Sequence, residues 1–204
     1  MRYYANPSTP AVKQAMTDGL LGCIETPRQG NLPVPGAIWC ADNGCFGSGY
    51  PGDAKWISWL GRQSDRSASC TFVTAPDVVG DARATLDRST PWLPEIRRLG
   101  FRSAYVLQDG QETVPVPWDD LDCVFIGGST EWKLGPTPRS LVAEAKERGK
   151  WAHMGRVNSF KRLRYAASIG CDSADGTTIT FAPDLKLPKV LAWLDIINRQ
   201  EVLI

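Results

Sequence analysis

Short apolar runs recur eight times along the chain, and each ends abruptly in polar or glycine residues. The runs lie at residues 2–5, 21–25, 37–42, 70–75, 103–108, 123–127, 151–157 and 171–175. Near-continuous apolar character is typical of strands in a parallel sheet, because helices cover the outer face of such a sheet. The pattern therefore predicts eight buried parallel strands.

Amphipathic segments separate most of these runs and predict helices. Their predicted positions are residues 10–17, 53–62, 81–99, 140–148, 159–168 and 187–198. In the second segment, Trp56, Trp59 and Leu60 follow the spacing of one helix face. The third is interrupted at Pro91, which indicates two helices. The links after the second and fifth strands are too short or too rich in proline for a full helix, so we expect a turn or a 3₁₀ segment there.

The repeated strand–helix order is compatible with a closed barrel or with an open, doubly wound sheet. Two observations favour the barrel: the strand count is eight, and polar motifs follow many strands instead of clustering after the first. The first strand leads into ANPSTP and not into a glycine-rich, dinucleotide-binding turn. The 204 residues are fewer than the usual ~250, so we expect one compact (β/α)8 TIM-like domain over residues 1–204 with short loops.

Composition and charge exclude several classes of protein. The formal net charge of +1 gives no global sign of a nucleic-acid partner, although a local basic face remains compatible with it. The six cysteines form no C-x-x-C pair and the single histidine is His153, so we expect neither structural zinc nor a cofactor. Four cysteines lie in or beside apolar runs, which predicts buried thiols in a reducing, cytoplasmic setting. No signal peptide or membrane span is expected.

Acidic and glycine-rich motifs follow strands three to eight. They are residues 42–46 (DNGCF), 75–81 (APDVVGD), 108–110 (QDG), 127–129 (GGS), 153–156 (HMGR) and 170–177 (GCDSADGT). In a (β/α)8 barrel these strand ends meet at one mouth. Glycine lets a flat ligand approach the backbone, and carboxylates there can act as acid, base or nucleophile. Single motifs of this kind also serve as caps or turns, and Asp81 fits a helix cap better than a catalyst.

Five of these motifs, in this order, resemble the catalytic barrel of the tRNA-guanine transglycosylases and their DNA-acting deazaguanine relatives. The family's Asp-Ser-Gly-Gly-Phe-Gln, Gln-Gly, Gly-Gly-Leu, Met-Gly-Val-Gly and Gly-(Ile/Val)-Asp-x-x-Asp elements are similar to residues 42–46, 108–110, 127–129, 154–157 and 170–175. The resemblance spans residues 37 to 177 and implies exchange of a base at a glycosidic carbon.

The resemblance also implies a role for each matching residue. Asp172 would be the nucleophile that attacks C1′ and forms a covalent sugar–enzyme intermediate. Asp42 would protonate the departing base and deprotonate the incoming one. The base itself would form hydrogen bonds with Asp77 and Gln108, would meet the amides of Gly127 and Gly128, and would pack against Met154 and Gly155.

Departures from the family pattern favour DNA over tRNA. The cysteine-rich zinc site is absent from the sequence, and residues 176–178 (GTT) replace the Pro-Thr-Arg segment. Both features handle tRNA in the family, so the chain is more similar to a minimal, phage-type enzyme that inserts a 7-deazaguanine such as preQ0 into DNA. Cys45 and Arg156 replace residues of the family pattern and imply a changed base pocket.

A basic cluster follows the seventh strand and is the predicted nucleic-acid face. Its members are Arg156, Lys161, Arg162 and Arg164. Phosphates need neutralising at a mouth where a flipped-out nucleotide reacts. The sequence leaves open whether a homodimer or a partner protein supplies further contacts.

Three other functions remain open. A hydrolytic DNA glycosylase would use the same residues, with water resolving the intermediate. A non-catalytic barrel that binds a nucleotide or nucleic acid would use the carboxylates as ligands or caps, and would tolerate loss of Asp172. A small-molecule aldolase or isomerase ranks lowest, because only Lys150 lies near a strand and only at its edge.

Overall fold

Eight parallel strands close into a barrel in the computed structural model, which describes residues 1–30 and 33–201. The strands are β1 (Arg2–Ala5), β2 (Gly22–Glu25), β3 (Trp39–Ala41), β4 (Cys70–Thr74), β5 (Ser103–Leu107), β6 (Cys123–Ile126), β7 (Trp151–Met154) and β8 (Ser173–Asp175). Each strand pairs with the next in the chain, and β8 returns to β1. The predicted (β/α)8 barrel is confirmed.

Helices connect the strands and lie on the outside of the barrel. They are α1 (Pro10–Thr17), α2 (Asp53–Gly61), α3 (Ala82–Ser89), α4 (Trp92–Arg98), α5 (Thr130–Lys133), α6 (Pro136–Glu147), α7 (Phe160–Ser168), α8 (Thr178–Phe181) and α9 (Pro183–Glu201). The predicted break before Pro91 is confirmed, since α3 and α4 are separate helices. Asp81 caps α3 by accepting a hydrogen bond from the Ala84 N–H, as predicted.

The predicted short links have different outcomes. Between β5 and β6 the chain forms a 3₁₀ turn at Gln111–Thr113, which confirms the prediction. Part of the link between β2 and β3, residues 31 and 32, lies outside the described residues.

Two apolar layers follow from the alternation of side chains along each strand. The barrel interior is packed with Tyr4, Ile24, Cys40, Phe72, Ala104 and Cys123, with Phe125 and Trp151 against them. The opposite faces of the strands meet the helices in a larger core that contains Trp39, Trp56 and Leu107. The interior is therefore a solid aromatic floor, and a ligand can enter only at the ends of the strands.

Five cysteines are buried and Cys45 is partly exposed, and all six are free thiols. Within the described chain, no helix combines the length and the apolar character needed to cross a bilayer.

Candidate active site

A pocket opens at the carboxyl ends of the strands, above the aromatic floor. Asp42, Asp77 and Asp175 line it, together with Gln108 and Arg156. The rest of the described lining consists of Asn6, Ile24, Thr26, Asn43, Phe46, Thr74, Val79, Val106, Phe125, Gly127, Gly128, Gly176 and Thr177. Three carboxylates thus share one pocket with apolar walls, on the face where (β/α)8 barrels place their chemistry.

One wall of the pocket is a hydrogen-bonded trio centred on Asp77, which follows β4. Its two carboxylate oxygens accept from Asn43 Nδ2 at 2.8 Å and from Gln108 Nε2 at 2.6 Å. Gln108 Oε1 accepts in turn from the N–H groups of Gly80 and Gly128, both at 3.0 Å. Both side chains that the sequence predicted as base ligands are therefore held rigidly together, and each Asp77 oxygen keeps a lone pair free for a ligand.

The carboxyl group of Asp42 lies at the end of β3 and accepts a hydrogen bond from the Gly44 N–H at 2.8 Å. Burial raises the pKa of Asp42 to about 6. The Gly44 N–H opposes this rise, and the neighbouring charges of Asp175 and Asp77 add to it. A carboxyl group that titrates near neutral pH can both give and take a proton, as predicted for an acid/base residue.

The third carboxylate, Asp175, ends β8 and is anchored from below by a buried histidine. Asp175 Oδ1 lies 3.1 Å from His153 Nε2 and accepts from the Arg156 N–H at 3.2 Å. His153 Nδ1 lies 2.8 Å from Ser173 Oγ, which also accepts from Trp151 Nε1 at 2.8 Å.

The partner of Nε2 indicates the tautomer of His153. A carboxylate can only accept, so His153 Nε2 carries the hydrogen and donates a hydrogen bond to Asp175. In this tautomer His153 Nδ1 accepts from the Ser173 hydroxyl, which in turn accepts from the indole N–H of Trp151. The ring is fully buried between Tyr4, Phe72 and Phe125 and cannot turn away.

Asp172, the predicted nucleophile, does not lie in this pocket. It precedes β8 and therefore sits at the amino end of the barrel, where both its oxygens accept from Lys146 Nζ at 2.6 and 2.7 Å. The Ala152 N–H donates to it as well, at 2.8 Å. The predicted place of Asp172 at the mouth is therefore wrong, and Asp175, at the other end of the three-residue strand, lines the pocket instead.

The glycine and methionine predictions also need correction. The Gly127 N–H donates to Leu107 O within the sheet at 3.0 Å, and the Gly128 N–H is taken by Gln108. Neither amide is therefore free to meet a base carbonyl, although both glycines line the pocket. Met154 points outward into the helix–sheet core, because its neighbour His153 points into the barrel.

Gly155 is not among the described residues that line the pocket, and its role is to leave room where a side chain would not fit. A Cβ atom at this position would lie 2.6 Å from the Phe125 ring and 3.3 Å from Asp175 Oδ1. Only glycine allows the chain after β7 to run so close to the anchored carboxylate.

The four basic residues predicted as a nucleic-acid face are placed differently from one another. Arg156 lines the pocket, with its guanidinium donating to the carbonyl oxygens of Gly127 and Gly128 and lying 4.3 Å from the Phe46 ring centre. Arg162 is half-buried beside it, whereas Lys161 and Arg164 are exposed on α7.

Sequence reasoning missed several residues of this site. Asp175 was detectable, since the last residue of a barrel strand points to the mouth. His153 was detectable too, because a polar residue in an apolar strand needs a buried partner. Lys133 carried no signal, as nothing in the sequence marks a lysine of the short helix α5 as buried. In the described part of the chain no three His, Cys, Asp or Glu side chains group to hold a metal ion.

Comparison with known proteins identifies no relative by sequence: no family model matches, and no curated protein matches. Among solved structures, the chain is similar to dihydrodipicolinate synthase from Bacillus clausii at 12% identity and a TM-score of 0.49, over 86% of this chain and 68% of that one. It is similar to 3-hexulose-6-phosphate synthase from Salmonella typhimurium at 15% identity and a TM-score of 0.49, over 95% and 98%. Function is therefore inferred from the geometry of the pocket.

Proposed function

We propose that this protein exchanges a base at the glycosidic carbon of a nucleotide in DNA, replacing guanine by a 7-deazaguanine such as preQ0. One observation carries the proposal. A protonatable carboxyl group, Asp42, and an anchored carboxylate, Asp175, line the same pocket as a rigid hydrogen-bonding wall. The motif resemblance supports the same reaction, with Asp175 in the role first expected of Asp172.

In the first half of the reaction, an oxygen of Asp175 attacks C1′ and the bond between C1′ and the base nitrogen breaks. The electron pair of that bond leaves with the base, which takes a proton from Asp42. The products are a sugar–Asp175 ester and free guanine. His153 and the Arg156 N–H hold Asp175 Oδ1, so its Oδ2 is the oxygen left to attack.

In the second half, the incoming base gives its proton to Asp42 and attacks C1′ through the nitrogen so freed. The ester bond to Asp175 breaks, and both carboxyl groups return to their starting states. Because Asp42 loses and regains one proton, a pKa of about 6 suits both halves better than an ordinary aspartate value.

The Asp77 trio supplies the recognition that a guanine-like edge requires. Guanine and its 7-deaza analogues present neighbouring N–H donors, and Asp77 offers two oxygens whose positions Asn43 and Gln108 fix. Burial raises the pKa of Asp77, while the two amide donors lower it, so an unpaired Asp77 is costly. A base without the matching donors would leave this wall unsatisfied and would be rejected.

The direct test is nucleoside mass spectrometry of DNA incubated with the protein, with and without preQ0. We expect a deazaguanine deoxynucleoside only when both protein and preQ0 are present. A parallel incubation with tRNA is expected to remain unmodified.

Each other result has a defined meaning. Free guanine with abasic DNA would show hydrolysis, and so a glycosylase on the same residues. Modified tRNA with unmodified DNA would overturn the choice of polymer. Unmodified nucleic acid in every incubation would overturn base exchange altogether.

A further inference from the structure

A narrow niche adjoins the active-site pocket and is lined by three basic side chains. Lys133 comes from the end of α5, Arg156 follows β7 and Arg162 lies in the first turn of α7. Arg156 lines the niche and the pocket alike, so the two are neighbours. Thr130, Leu134, Met154, Gly155 and Val157 complete the described lining.

Lys133 is the unusual member, because a lysine is rarely buried without an acidic partner. Only 5% of its surface is exposed, and its Nζ donates to Gly155 O at 2.7 Å. An ammonium group has three hydrogens, and this carbonyl oxygen is its one hydrogen-bond partner among the described residues. The remaining hydrogens are left for a ligand.

No direct ion pair neutralises the three basic side chains of the niche. Among the described residues, ion pairs hold Arg66, Arg97 and Lys146, but none includes Lys133, Arg156 or Arg162. The guanidinium of Arg156 donates hydrogen bonds to two backbone carbonyl oxygens. Three neighbouring cations repel one another, and an anion that binds between them would offset this electrostatic repulsion.

The first turn of α7 adds to the attraction. Ser159 caps this nine-residue helix through a hydrogen bond from the Arg162 N–H, and no acidic residue lies in the first turn. The positive end of the helix dipole therefore acts in the same direction as the three side chains.

We propose that the niche formed by Lys133, Arg156 and Arg162 is a phosphodiester subsite, in which a backbone phosphate sits at the opening of the niche, next to the nucleotide in the pocket, with one oxygen inside. This rests on the proposed function in requiring a nucleic-acid substrate. It adds the site that fixes the sugar relative to Asp175. One phosphate oxygen would reach Lys133, and the guanidinium of Arg162 would hold the others.

A proton should accompany the phosphate. Burial lowers the pKa of Lys133 to about 7; Arg156 and Arg162 lower it further, while Asp175 and Asp109 oppose them. A bound phosphate favours the charged lysine, and the phosphodiester itself does not titrate near neutral pH. Binding should therefore strengthen as the pH falls from 8 to 6, because the free protein then already carries the proton.

The test measures fluorescence anisotropy of a labelled 12-nucleotide single-stranded DNA with the full chain, over a salt series at pH 6 and pH 8. Lys133→Met and Arg162→Gln should each weaken binding about 5- to 20-fold at low salt, and reduce the slope of log Kd against log salt by about 0.7. Lys133→Met should also reduce the difference between the two pH values, and the part that remains belongs to Asp42, which titrates in the adjoining pocket. Arg102→Gln, at an exposed arginine that precedes β5 at the amino end of the barrel, is the matched control and should change Kd less than about 2-fold.

The outcomes separate this subsite from the proposed function. Unchanged binding in Arg162→Gln, or equal losses in Arg162→Gln and Arg102→Gln, would overturn a built phosphate site. The Arg162→Gln result alone decides whether the phosphate site exists. Lys133→Met should fold as well, because it replaces a buried charge by an apolar chain. Absence of base exchange with the binding pattern intact would reject the enzyme and keep the subsite.

Discussion

The two ends of the barrel treat aspartate in opposite ways. At the amino end, Asp172 is paired with Lys146 and Asp122 with Arg97, and each also accepts a backbone N–H. At the carboxyl end, the carboxylates of Asp42 and Asp77 accept from a backbone N–H and from two side-chain amides, and no basic side chain is bonded to either carboxylate in the described structure. The carboxylates at the amino end are paired with basic side chains, whereas Asp42 and Asp77 at the carboxyl end line one pocket together.

This difference distinguishes carboxylates that stabilise the fold from carboxylates that can react. A paired carboxylate is held ionised and its oxygens are occupied, so it can join strands and helices but cannot react. An unpaired buried carboxylate destabilises the fold and for that reason is ready to take a proton or attack a carbon. Asp122, with both oxygens on the Arg97 guanidinium, and Asp42, which accepts from the Gly44 N–H, show the two cases.

The largest expected effect separates these two residues. Asp175→Asn should reduce base exchange at least about 10³-fold, because an amide cannot form the sugar ester. Asp172→Asn should change exchange less than about 3-fold, because that carboxylate lies at the other end of the barrel. Initial rates of preQ0 incorporation compare the two. Activity lost in Asp172→Asn and kept in Asp175→Asn would restore the original assignment of the nucleophile.

The support beneath Asp175 should give an intermediate effect. His153→Phe keeps an aromatic ring in the floor but removes the N–H that stabilises the Asp175 carboxylate. We expect kcat to fall about 10- to 100-fold with KM little changed, because the carboxylate loses the donor that orients it. His153→Gln, which keeps a donor, should restore most of kcat. An equal fall in kcat in His153→Phe and His153→Gln would reduce His153 to a packing residue.

The smallest effect concerns stability and has opposite signs at the two ends. The pKa of Asp42 is higher in the folded chain than the usual aspartate value. Asp42 therefore adds its full contribution to the free energy of unfolding below about pH 4, where it is protonated, and this contribution is lost as the pH rises past about 6. Asp42→Asn should therefore be more stable than the native chain above pH 6, by ~1–2 kcal/mol, with no difference near pH 4.

Asp122→Asn is the matched variant at the amino end. The Arg97 guanidinium and Ser103 hold the pKa of Asp122 below its usual range despite partial burial, so its stabilising effect is present at neutral pH and lost in acid. This variant should lose ~1 kcal/mol at pH 7. Urea unfolding at pH 4 and pH 7.5 measures both. Equal signs for the two substitutions would break the contrast between the ends.

Most of the fold was predictable because apolar runs mark buried strands whatever the loops do. The strand Arg2–Ala5 and the helix Pro10–Thr17 were predicted at their observed bounds. Other ends moved by a few residues: α6 begins at Pro136, four residues earlier than predicted. Proline is favoured in the first turn of a helix, and this signal was not used there.

The site was predictable by region and less so by residue. Asp42, Asp77 and Gln108 follow their strands directly, so the strand-end rule was enough to find them. Asp172 and Asp175 bracket β8, and only the register of three residues decides which one faces the mouth. The buried Lys133 depends on how α5 packs against the chain after β7, which no local pattern encodes.

The buried hydrogen bonds that link Trp151, through Ser173 and His153, to Asp175 also limit how protons can reach the pocket. An indole nitrogen has no lone pair to offer, so a relay through Ser173 and His153 ends at Trp151 and cannot draw on water at the far side. This hydrogen-bond chain therefore brings no proton to Asp175 from the amino end of the barrel. A proton that moves in the pocket, where Asp42 lies, has to enter or leave through the mouth.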